Sequence, residues 1–413
     1  MSDERALPNS MPDFDPNRPD TTLYTTEGVL SSEFTAKIEH AVGALVDQMD
    51  SAVRHASAEG TTARQDASIY TGLCGIALLY EKLSRTPTDN KQHLQRAVHL
   101  VEQCLNEMRG RRYTFLCGDS GPLALGAVVY KRTDKTQKSH ECIQRLTDLR
   151  GHVSLSARDM PDELLYGRVG YMYACMYVNK RLNAEAVPRA VIAQVANDIL
   201  SSGASLAKRV PQLHAPLMYE WHDSLYLGAA HGIAGILFLL MQVPDIVSDA
   251  HKSAQIRGCL DFILTQQYPS GNYPSSIGSH GGDRLIHWCH GAPGWVHTMI
   301  LAHKVFHERK YLDSALRCGD VIWQRGLLRK GYGLCHGTAG NAYGLLALWQ
   351  HTHDVKWMHR TCKFVEFLFD YGRHGCRIAD RPFSLMEGMA GTVYFLVDML
   401  QPKDAAFPAF YVG

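Results

Sequence analysis

The sequence predicts an all-α protein folded as a closed α/α toroid, with seven inner and seven outer helices. A Gly-x-x-Gly step followed by an apolar run occurs seven times, and the second glycines of successive steps lie between 46 and 65 residues apart. An amphipathic stretch of helical period separates the steps, whereas alternation with period two, which would indicate strands, is scarce. A repeat of this length holds two helices, and fixed-period repeats are typical of helical arrays.

Each step opens a helix that is apolar on most sides, as expected for the inner ring. The glycine pairs are Gly72/Gly75, Gly118/Gly121, Gly167/Gly170, Gly232/Gly235, Gly291/Gly294, Gly337/Gly340 and Gly388/Gly391. Outer helices are expected between the steps, for example over residues 94–108, 187–206, 311–323 and 356–369. The alternative, an open solenoid, needs polar caps at both ends. The first and last units resemble the middle ones, so we predict closure.

The composition is that of a folded chain without a strong charge field. Of 413 residues, 46% are hydrophobic and 20% are charged, which excludes disorder over most of the chain. The 42 Lys and Arg against 41 Asp and Glu leave a net charge of +1, so no nucleic acid partner is predicted. No apolar run reaches the ~18 residues of a membrane span, so no transmembrane segment is expected. Peripheral membrane association stays open.

The cysteines and the N-terminus predict a cytoplasmic protein. The 11 cysteines are scattered without the spacing of a disulfide framework, and a chain this long can bury a core without disulfides. Residues 1–24 are polar and proline-rich, with no apolar core of a signal peptide. We expect residues 1–30 to form a polar segment that can reach the site, and residues 31–413 to form one toroid domain.

The position directly before each step carries reactive side chains in the later repeats. It holds, in chain order, Thr71, Cys117, Tyr166, His231, His290, His336 and Glu387. Cys289 and Cys335 precede two of these histidines in neighbouring repeats. Two thiolates and one imidazole would bind Zn²⁺ and leave one position open, which is the catalytic pattern. The alternative is that both cysteines are small buried hydrophobic residues. The pattern does not say which histidine binds.

Other polar residues admit two interpretations each. His231 could be a general acid or base beside the metal, or a packed histidine. Glu387 could support a metal ligand, or stabilise a helix N-terminus. The loops before the steps are expected to gather at one end of the toroid, which we call the mouth. The cations of residues 330–335 and 374–381 could hold a carboxylate near this mouth, or could be solvated loop charges. Residues 218–223 could line a channel, or could be packed aromatic side chains.

The loop motifs together resemble those of the eukaryotic LanC-like (lanthionine synthetase C-like) proteins. The resemblance runs from about residue 70 to the C-terminus. The segments that carry it are 115–122, 165–171, 228–235, 288–294, 333–340 and 383–391, including Trp-Cys-His-Gly-Ala-Pro-Gly and Gly-Leu-Cys-His-Gly-Thr-Ala-Gly. It implies the same seven-fold toroid as the repeat does.

The resemblance also implies a set of site residues. It implies one zinc ion bound by Cys289, Cys335 and His336, and thereby selects His336 over His290. His231 matches the histidine assigned as acid or base in the bacterial cyclases. Their catalytic aspartate has no clear counterpart, and Glu163 is the nearest candidate, so peptide cyclisation is in doubt. The positions that resemble glutathione contacts are Lys330, Arg377, Ile378, Ala379, Asp380 and, from the N-terminal segment, Arg5.

We therefore expect a zinc-dependent, glutathione transferase-like enzyme. It would add the glutathione thiol to α,β-unsaturated centres such as dehydroalanine or dehydrobutyrine in proteins and peptides. The alternative is a non-catalytic glutathione-binding protein that serves as a redox sensor or signalling adaptor. Other toroid enzymes fit poorly. Glycosidases need paired carboxylates, whereas only Glu387 occupies the repeated loop position, and prenyltransferases usually have a carboxylate among their zinc ligands.

Overall fold

The computed structural model describes residues 5–25, 27–58, 66–86, 90–157 and 159–412. In these residues helices are the regular elements, accompanied by four isolated β-bridges. The α-helices are α1 (Ser32–Ala58), α2 (Leu73–Leu83), α3 (Asn90–Asn106), α4 (Ser120–Arg132), α5 (Thr136–Asp148), α6 (Arg168–Leu182), α7 (Arg189–Ala207), α8 (Ile233–Leu240), α9 (Pro244–Val247), α10 (Ala250–Leu264), α11 (Ala292–Phe306), α12 (Arg309–Arg325), α13 (Thr338–Thr352), α14 (Val355–Phe369) and α15 (Met389–Met399).

The inner ring is closed. Its helices α2, α4, α6, α8, α11, α13 and α15 each begin at one Gly-x-x-Gly step and are buried along most of their length. Each packs against the next along the chain, and α15 packs against α2, so the last repeat joins the first. The predicted seven-fold α/α toroid is therefore confirmed, and an open solenoid is excluded.

The outer ring consists of α1, α3, α5, α7, α10, α12 and α14, which alternate with the inner helices along the chain. Most of them pack closely on an inner neighbour: α3 on α2, α5 on α4, α7 on α6, α12 on α11, α14 on α13 and α1 on α15. The four predicted outer helices are present, with bounds within four residues of those expected. The amphipathic period thus located these helices, while their ends depend on local caps.

The second glycine of each step is required by a close backbone contact. A Cβ atom on Gly75 would lie 2.2 Å from the carbonyl oxygen of Ile69, and one on Gly340 would lie 1.8 Å from that of Leu334. In both cases the carbonyl belongs to the residue six positions earlier, because the loop folds back over the first turn of its own helix. Among the steps, a positive φ occurs only at Gly291, where it is 114°.

The C-terminal residues fill the centre of the inner ring. Phe410 stacks on Phe238 of α8 with ring centroids 4.0 Å apart, and Phe407 stacks on Trp288 at 4.9 Å. The Tyr411 hydroxyl lies 3.1 Å from His297 Nδ1 of α11. Since Trp288 directly precedes Cys289, this aromatic plug supports the loop of the fifth repeat from below.

The N-terminal segment lies along the outer helices. The Asn9 amide donates to the carbonyl of Trp323 in α12 at 2.7 Å, and Arg360 of α14 forms an ion pair with Asp13 at 2.8 Å. Closer to the N-terminus, the Leu7 N–H donates to the carbonyl of Leu327 at 2.7 Å. This path brings Arg5 to the loop that precedes the sixth step. The domain boundary at residue 30 stays a prediction.

Candidate active site

The loops before the steps are joined by a belt of backbone hydrogen bonds. The Cys289 N–H donates to the carbonyl of Cys335 at 3.2 Å, and the Cys335 N–H donates to that of Met386 at 2.7 Å. Met386 in turn donates to Tyr70 at 3.1 Å, and Tyr70 to Leu116 at 2.9 Å. These residues occupy the same position in the fifth, sixth, seventh, first and second repeats. The belt therefore sets equivalent side chains side by side at one end of the toroid.

The belt brings together the three residues implied as metal ligands. One ligand atom each of Cys289, Cys335 and His336 lies within 4.8 Å of the other two. Both cysteines are buried, and His336 is half-buried. Zn²⁺ is bound by thiolate sulfur at about 2.3 Å and by imidazole nitrogen at about 2.0 Å, so donors around one ion lie under 4 Å apart. The donor set and its compactness fit zinc with one further position for another ligand.

Burial and the adjacent Cys289 thiol raise the pKa of Cys335 well above its usual range. A thiol in such a place ionises only when a positive charge compensates it, which a divalent cation would do. The surroundings of Cys335 therefore agree with a metal ligand better than with a free reactive thiol.

Tyr70 is a neighbour of the cluster that the sequence interpretation missed. Its hydroxyl donates a hydrogen bond to Cys335 Sγ at 2.8 Å. Burial raises the pKa of Tyr70 well above its usual range, and the charges of Cys335, Cys289 and Glu387 act in the same direction. The hydroxyl thus remains a donor, and Glu387, which is half-buried, lies near enough to affect it. Only the place of Tyr70 at the repeated loop position could have pointed to this contact.

His290 is not part of the ligand cluster. Its Nδ1 is buried without a hydrogen-bond partner in the described structure. Burial lowers the pKa of His290 to about 4, and the neighbouring side chains of His231, His287 and Lys330 act in the same direction. Its ring lies 6.4 Å from that of His231 and 5.7 Å from that of Tyr226. His290 is therefore a neutral side chain between the cluster and His231.

The structure brings His231 and Glu163 into direct contact. His231 Nδ1 lies 2.8 Å from Glu163 Oε2, and Glu163 is buried. The carboxylate also accepts hydrogen bonds from the N–H groups of Leu165 and Tyr166 in its own loop. The imidazole stacks on Tyr166 at a centroid distance of 6.0 Å. This arrangement fixes the imidazole orientation through Nδ1 and leaves Nε2 as the nitrogen available to a substrate.

The candidate glutathione contacts lie on three adjacent segments beside the mouth. The carbonyl of Arg5 accepts from the N–H of Arg329 at 2.9 Å, and the Arg377 N–H donates to the carbonyl of Arg329 at 2.7 Å. Lys330 is exposed, and its charge contributes to lowering the pKa of His290. The segments that carry the candidates are thus adjacent, and Lys330 lies close enough to act on the mouth electrostatically.

Within the last of these segments, charge and exposure differ between residues. Arg377 forms an ion pair with Asp380 at 2.7 Å, and both side chains are exposed. Ile378 is 79% exposed, and Ala379 is half-buried. Arg377 and Asp380 can pair with the charged ends of a peptide ligand, whereas Ile378 and Ala379 offer only apolar surface and backbone groups.

Two cavities open on either side of Tyr166. The first, of about 600 Å³, reaches Tyr70 and Cys117, and the second, of about 890 Å³, reaches His231 and Trp221. Both are lined by Arg111 and Arg112, which precede the second Gly step. The sequence interpretation missed these arginines, although the Arg-Gly-Arg-Arg run at 109–112 was a visible signal. The sequence leaves two interpretations open for residues 218–223, a channel lining or packed aromatic side chains, and Trp221 and His222 of this segment line the second cavity.

The fold and the site together define a class of protein: a closed α/α toroid with a cluster of two cysteines and one histidine at its mouth that could hold a metal ion. A family model described as lanthionine synthetase C-like protein matches residues 63–412. The chain therefore belongs to the LanC-like family, as the loop motifs suggested.

Individual relatives agree with this assignment. The chain is 45% identical over 413 residues, the full length of both proteins, to the Danio rerio protein named glutathione S-transferase LANCL1. It is 33% identical over 371 residues to the Arabidopsis thaliana LanC-like protein GCL1, covering 86% of this chain and 84% of that one. Nisin cyclase shares the fold, with a TM-score of 0.65 at 15% identity over 87% of this chain and 93% of its own.

None of the helices in the described ranges combines the length and the apolar character that crossing a lipid bilayer would take.

Proposed function

We propose that this protein is a zinc-dependent glutathione S-transferase that adds the glutathione thiol to an α,β-unsaturated carbon. The observation that carries the proposal is the compact cluster of Cys289, Cys335 and His336 at the same mouth as the His231–Glu163 pair. A relative at 45% identity bears the name glutathione S-transferase, which supports the choice of thiol. The acceptor class, dehydroalanine or dehydrobutyrine in a polypeptide, follows from the family resemblance.

The residues of the chain divide the chemistry between them. Cys289, Cys335 and His336 would hold the zinc ion, which when bound lowers the pKa of a thiol and keeps it as the nucleophilic thiolate. Lys330 and Arg377 would pair with the carboxylates of glutathione, with Arg5, Ile378, Ala379 and Asp380 completing its site. With these contacts the glutathione sulfur would lie at the mouth, and the glutathione backbone would lie over the loops beside the mouth.

The addition itself is a balanced conjugate addition. The sulfur forms a bond to the β-carbon, the carbon–carbon π electrons move toward the carbonyl, and the α-carbon takes up one proton, so that the thiol proton is conserved overall. His231, oriented by Glu163, is the group that would deliver this proton. The charge that develops on the acceptor carbonyl would be stabilised by the same protonated imidazole.

The cysteines support a reducing compartment. All 11 cysteines are unpaired, and nine of them are buried. Thiols persist in this form where glutathione keeps them reduced, so we propose a cytoplasmic location, where the proposed co-substrate is also available.

The test is single-turnover mass spectrometry of the full chain with glutathione and a dehydroalanine peptide, with zinc quantified on the same sample. We expect one zinc per chain and a peptide heavier by one glutathione. Cys335→Ala should lose zinc and activity together, whereas Cys142→Ala, a buried cysteine of α5, should keep both. Circular dichroism verifies that each variant is folded. A protein that binds zinc and glutathione but yields no adduct with any acceptor would instead be the non-catalytic sensor or adaptor.

A further inference from the structure

The two cavities at the mouth form one groove with a shared wall. They have Arg111, Arg112 and Tyr166 in common, so they meet at Tyr166. One end reaches Tyr70, which is bonded to Cys335 of the ligand cluster, and the other end reaches His231. Each cavity has the volume of a site for a drug-sized ligand, so together they can hold several residues of a polypeptide.

The shared wall of the groove carries two arginines whose charge no ion pair among the described residues neutralises. Arg111 and Arg112 are exposed, and among the described residues no carboxylate lies within ion-pair distance of either. Arg112 is positioned over the ring of Tyr166, with its guanidinium carbon 4.7 Å from the ring centroid. Arg109 and Arg381 add two further exposed guanidinium groups to the first cavity.

Two of the four carboxylates that line the groove are hydrogen-bonded within their own loops. Asp119 accepts hydrogen bonds from the N–H groups of Arg109 and Gly110, at 3.3 and 2.7 Å. Asp66 accepts from the Thr71 hydroxyl at 2.6 Å and from the Ser68 N–H at 2.9 Å. These bonds hold the two carboxylates on their own loops, and neither forms an ion pair with Arg111 or Arg112. Glu107 lines the first cavity and Asp159 the second.

Apart from Arg381, the residues that line the groove and the candidate glutathione contacts lie on different loops. The groove is built from residues of the first four repeats, with Arg381 added from the seventh. The glutathione candidates lie on the N-terminal segment and on the loops before the sixth and seventh steps. The thiol and its acceptor would therefore approach the cluster from different sides, which a two-substrate reaction requires.

We propose that Arg111 and Arg112 form an anion-binding wall that selects acceptor polypeptides with an acidic or phosphorylated side chain close to the electrophilic residue. The planar guanidinium group matches carboxylate and phosphate oxygens in two-point contacts, and the aromatic rings of Tyr166 and Trp221 give the peptide chain a flat surface. The inference rests on the proposed function, because it names the acceptor of that same site.

The experiment measures kcat/KM for glutathione addition to a set of dehydroalanine peptides. The peptides differ only at the flanking positions, which are glutamate, phosphoserine, glutamine or lysine. Charge-assisted hydrogen bonds lead us to expect a preference of about 10-fold to 100-fold for the anionic peptides over the glutamine peptide. The comparison of glutamate with phosphoserine identifies which anion the wall takes. Raising salt from about 0.05 M to about 0.5 M should reduce the preference, because the arginines are exposed.

Variants assign the preference to the wall. The Arg111→Gln, Arg112→Gln double variant should bring the ratio of glutamate to glutamine peptide close to one, and Arg111→Glu with Arg112→Glu should favour the lysine peptide. Arg309→Gln, an exposed arginine at the start of α12, is the matched control and should keep the wild-type ratio. Equal rates for all peptides with the wild-type protein would overturn the inference, while leaving the transferase proposal intact. No adduct with any peptide would overturn the transferase proposal itself.

Discussion

The hydroxyl of Tyr70 donates a hydrogen bond to Cys335 Sγ over 2.8 Å, and this contact joins the first repeat to the sixth. The contact is possible because the backbone belt links Cys335 to Met386 and Met386 to Tyr70, and so joins the last repeats to the first at the mouth. A toroid that stayed open between its ends would separate Tyr70 from the cluster. Closure of the fold and support of the candidate metal ligand Cys335 therefore depend on the same contacts.

Tyr70→Phe should weaken zinc binding without abolishing it. The substitution keeps the ring and its packing and removes only the donor to Cys335 Sγ. Hydrogen bonds to metal ligands typically contribute about 10-fold to 100-fold to affinity, and we expect a loss in that range. Competition with a chromophoric chelator measures it. Tyr311→Phe removes a hydroxyl bonded to Asp261 on the outer ring and should leave zinc affinity unchanged. An unaltered affinity in Tyr70→Phe would show that the contact does not support the metal.

The two histidines of the Cys-His loops should differ in their effect on zinc. His336→Ala removes a member of the cluster and should reduce zinc to well below one ion per chain. His290→Ala should retain zinc, because His290 lies outside the cluster in the described structure. Elemental analysis after gel filtration gives the stoichiometry. Loss of zinc from His290→Ala with retention in His336→Ala would reverse the assignment.

The repeat pattern was sufficient to predict the toroid and the common mouth. Glycine pairs recur because the chain folds over its own helix start, and the carbonyl of Leu334, for instance, leaves no room for a side chain on Gly340. Such a constraint is local, so it is visible in the sequence. The grouping of Cys289 with Cys335 follows from the same periodicity, since equivalent loop positions become neighbours.

Other parts of the site depend on contacts between distant segments. Nothing local links Tyr70 to Cys335, or the tail at Phe407 to Trp288. Arg111 and Arg112 likewise have no ion-pair partner among the described residues, which only the folded chain decides. The residue pattern alone does not separate His290 from His336, because both follow a cysteine. The family resemblance selects His336, and in the fold His336 lies in the cluster with both cysteines.

Glu163→Gln should lower turnover while leaving substrate binding intact. Glu163 acts through His231, whose Nδ1 lies 2.8 Å from its carboxylate, and is thus a positioning residue. An amide can present its N–H to the imidazole and stabilise the wrong tautomer, so we expect kcat to fall by at least about 10-fold. His231→Asn should lower it by about 10²-fold to 10⁴-fold. The KM for glutathione and the zinc content should stay at wild-type values. A rise in KM with unchanged kcat would contradict this role.

Glu81→Leu should destabilise the ring strongly. Glu81 of α2 is fully buried and pairs with Arg85, with Arg132 of α4 and with Arg181 of α6. Burial alone would raise the pKa of Glu81, but the three guanidinium groups hold it below its usual value. Removing the shared carboxylate leaves partly buried cations without a partner, which typically costs about 3–5 kcal/mol. Urea unfolding measures the loss. Lys37→Leu, which breaks an exposed pair with Glu33, should change stability by under ~1 kcal/mol.

Protonation of His297 should make the toroid less stable as the pH falls. His297 is buried among the aromatic residues of the plug, and burial lowers its pKa to about 3. In the unfolded chain a histidine has a pKa of about 6.5, so the unfolded state binds the proton first. The stabilisation is therefore complete above about pH 6.5 and is lost toward pH 3, with a limiting slope of about 1.4 kcal/mol per pH unit.

The neutral variant His297→Gln isolates this contribution. It removes the titration, so its free energy of unfolding should fall less steeply than that of the wild type between pH 7 and pH 5. Zinc release at low pH adds its own slope, and both proteins are therefore compared after removal of metal. The difference between the two curves then reports His297 alone, because every other group titrates in both. Parallel curves would mean that His297 binds its proton equally well in the folded and unfolded states, so the aromatic plug would have to admit water to its ring.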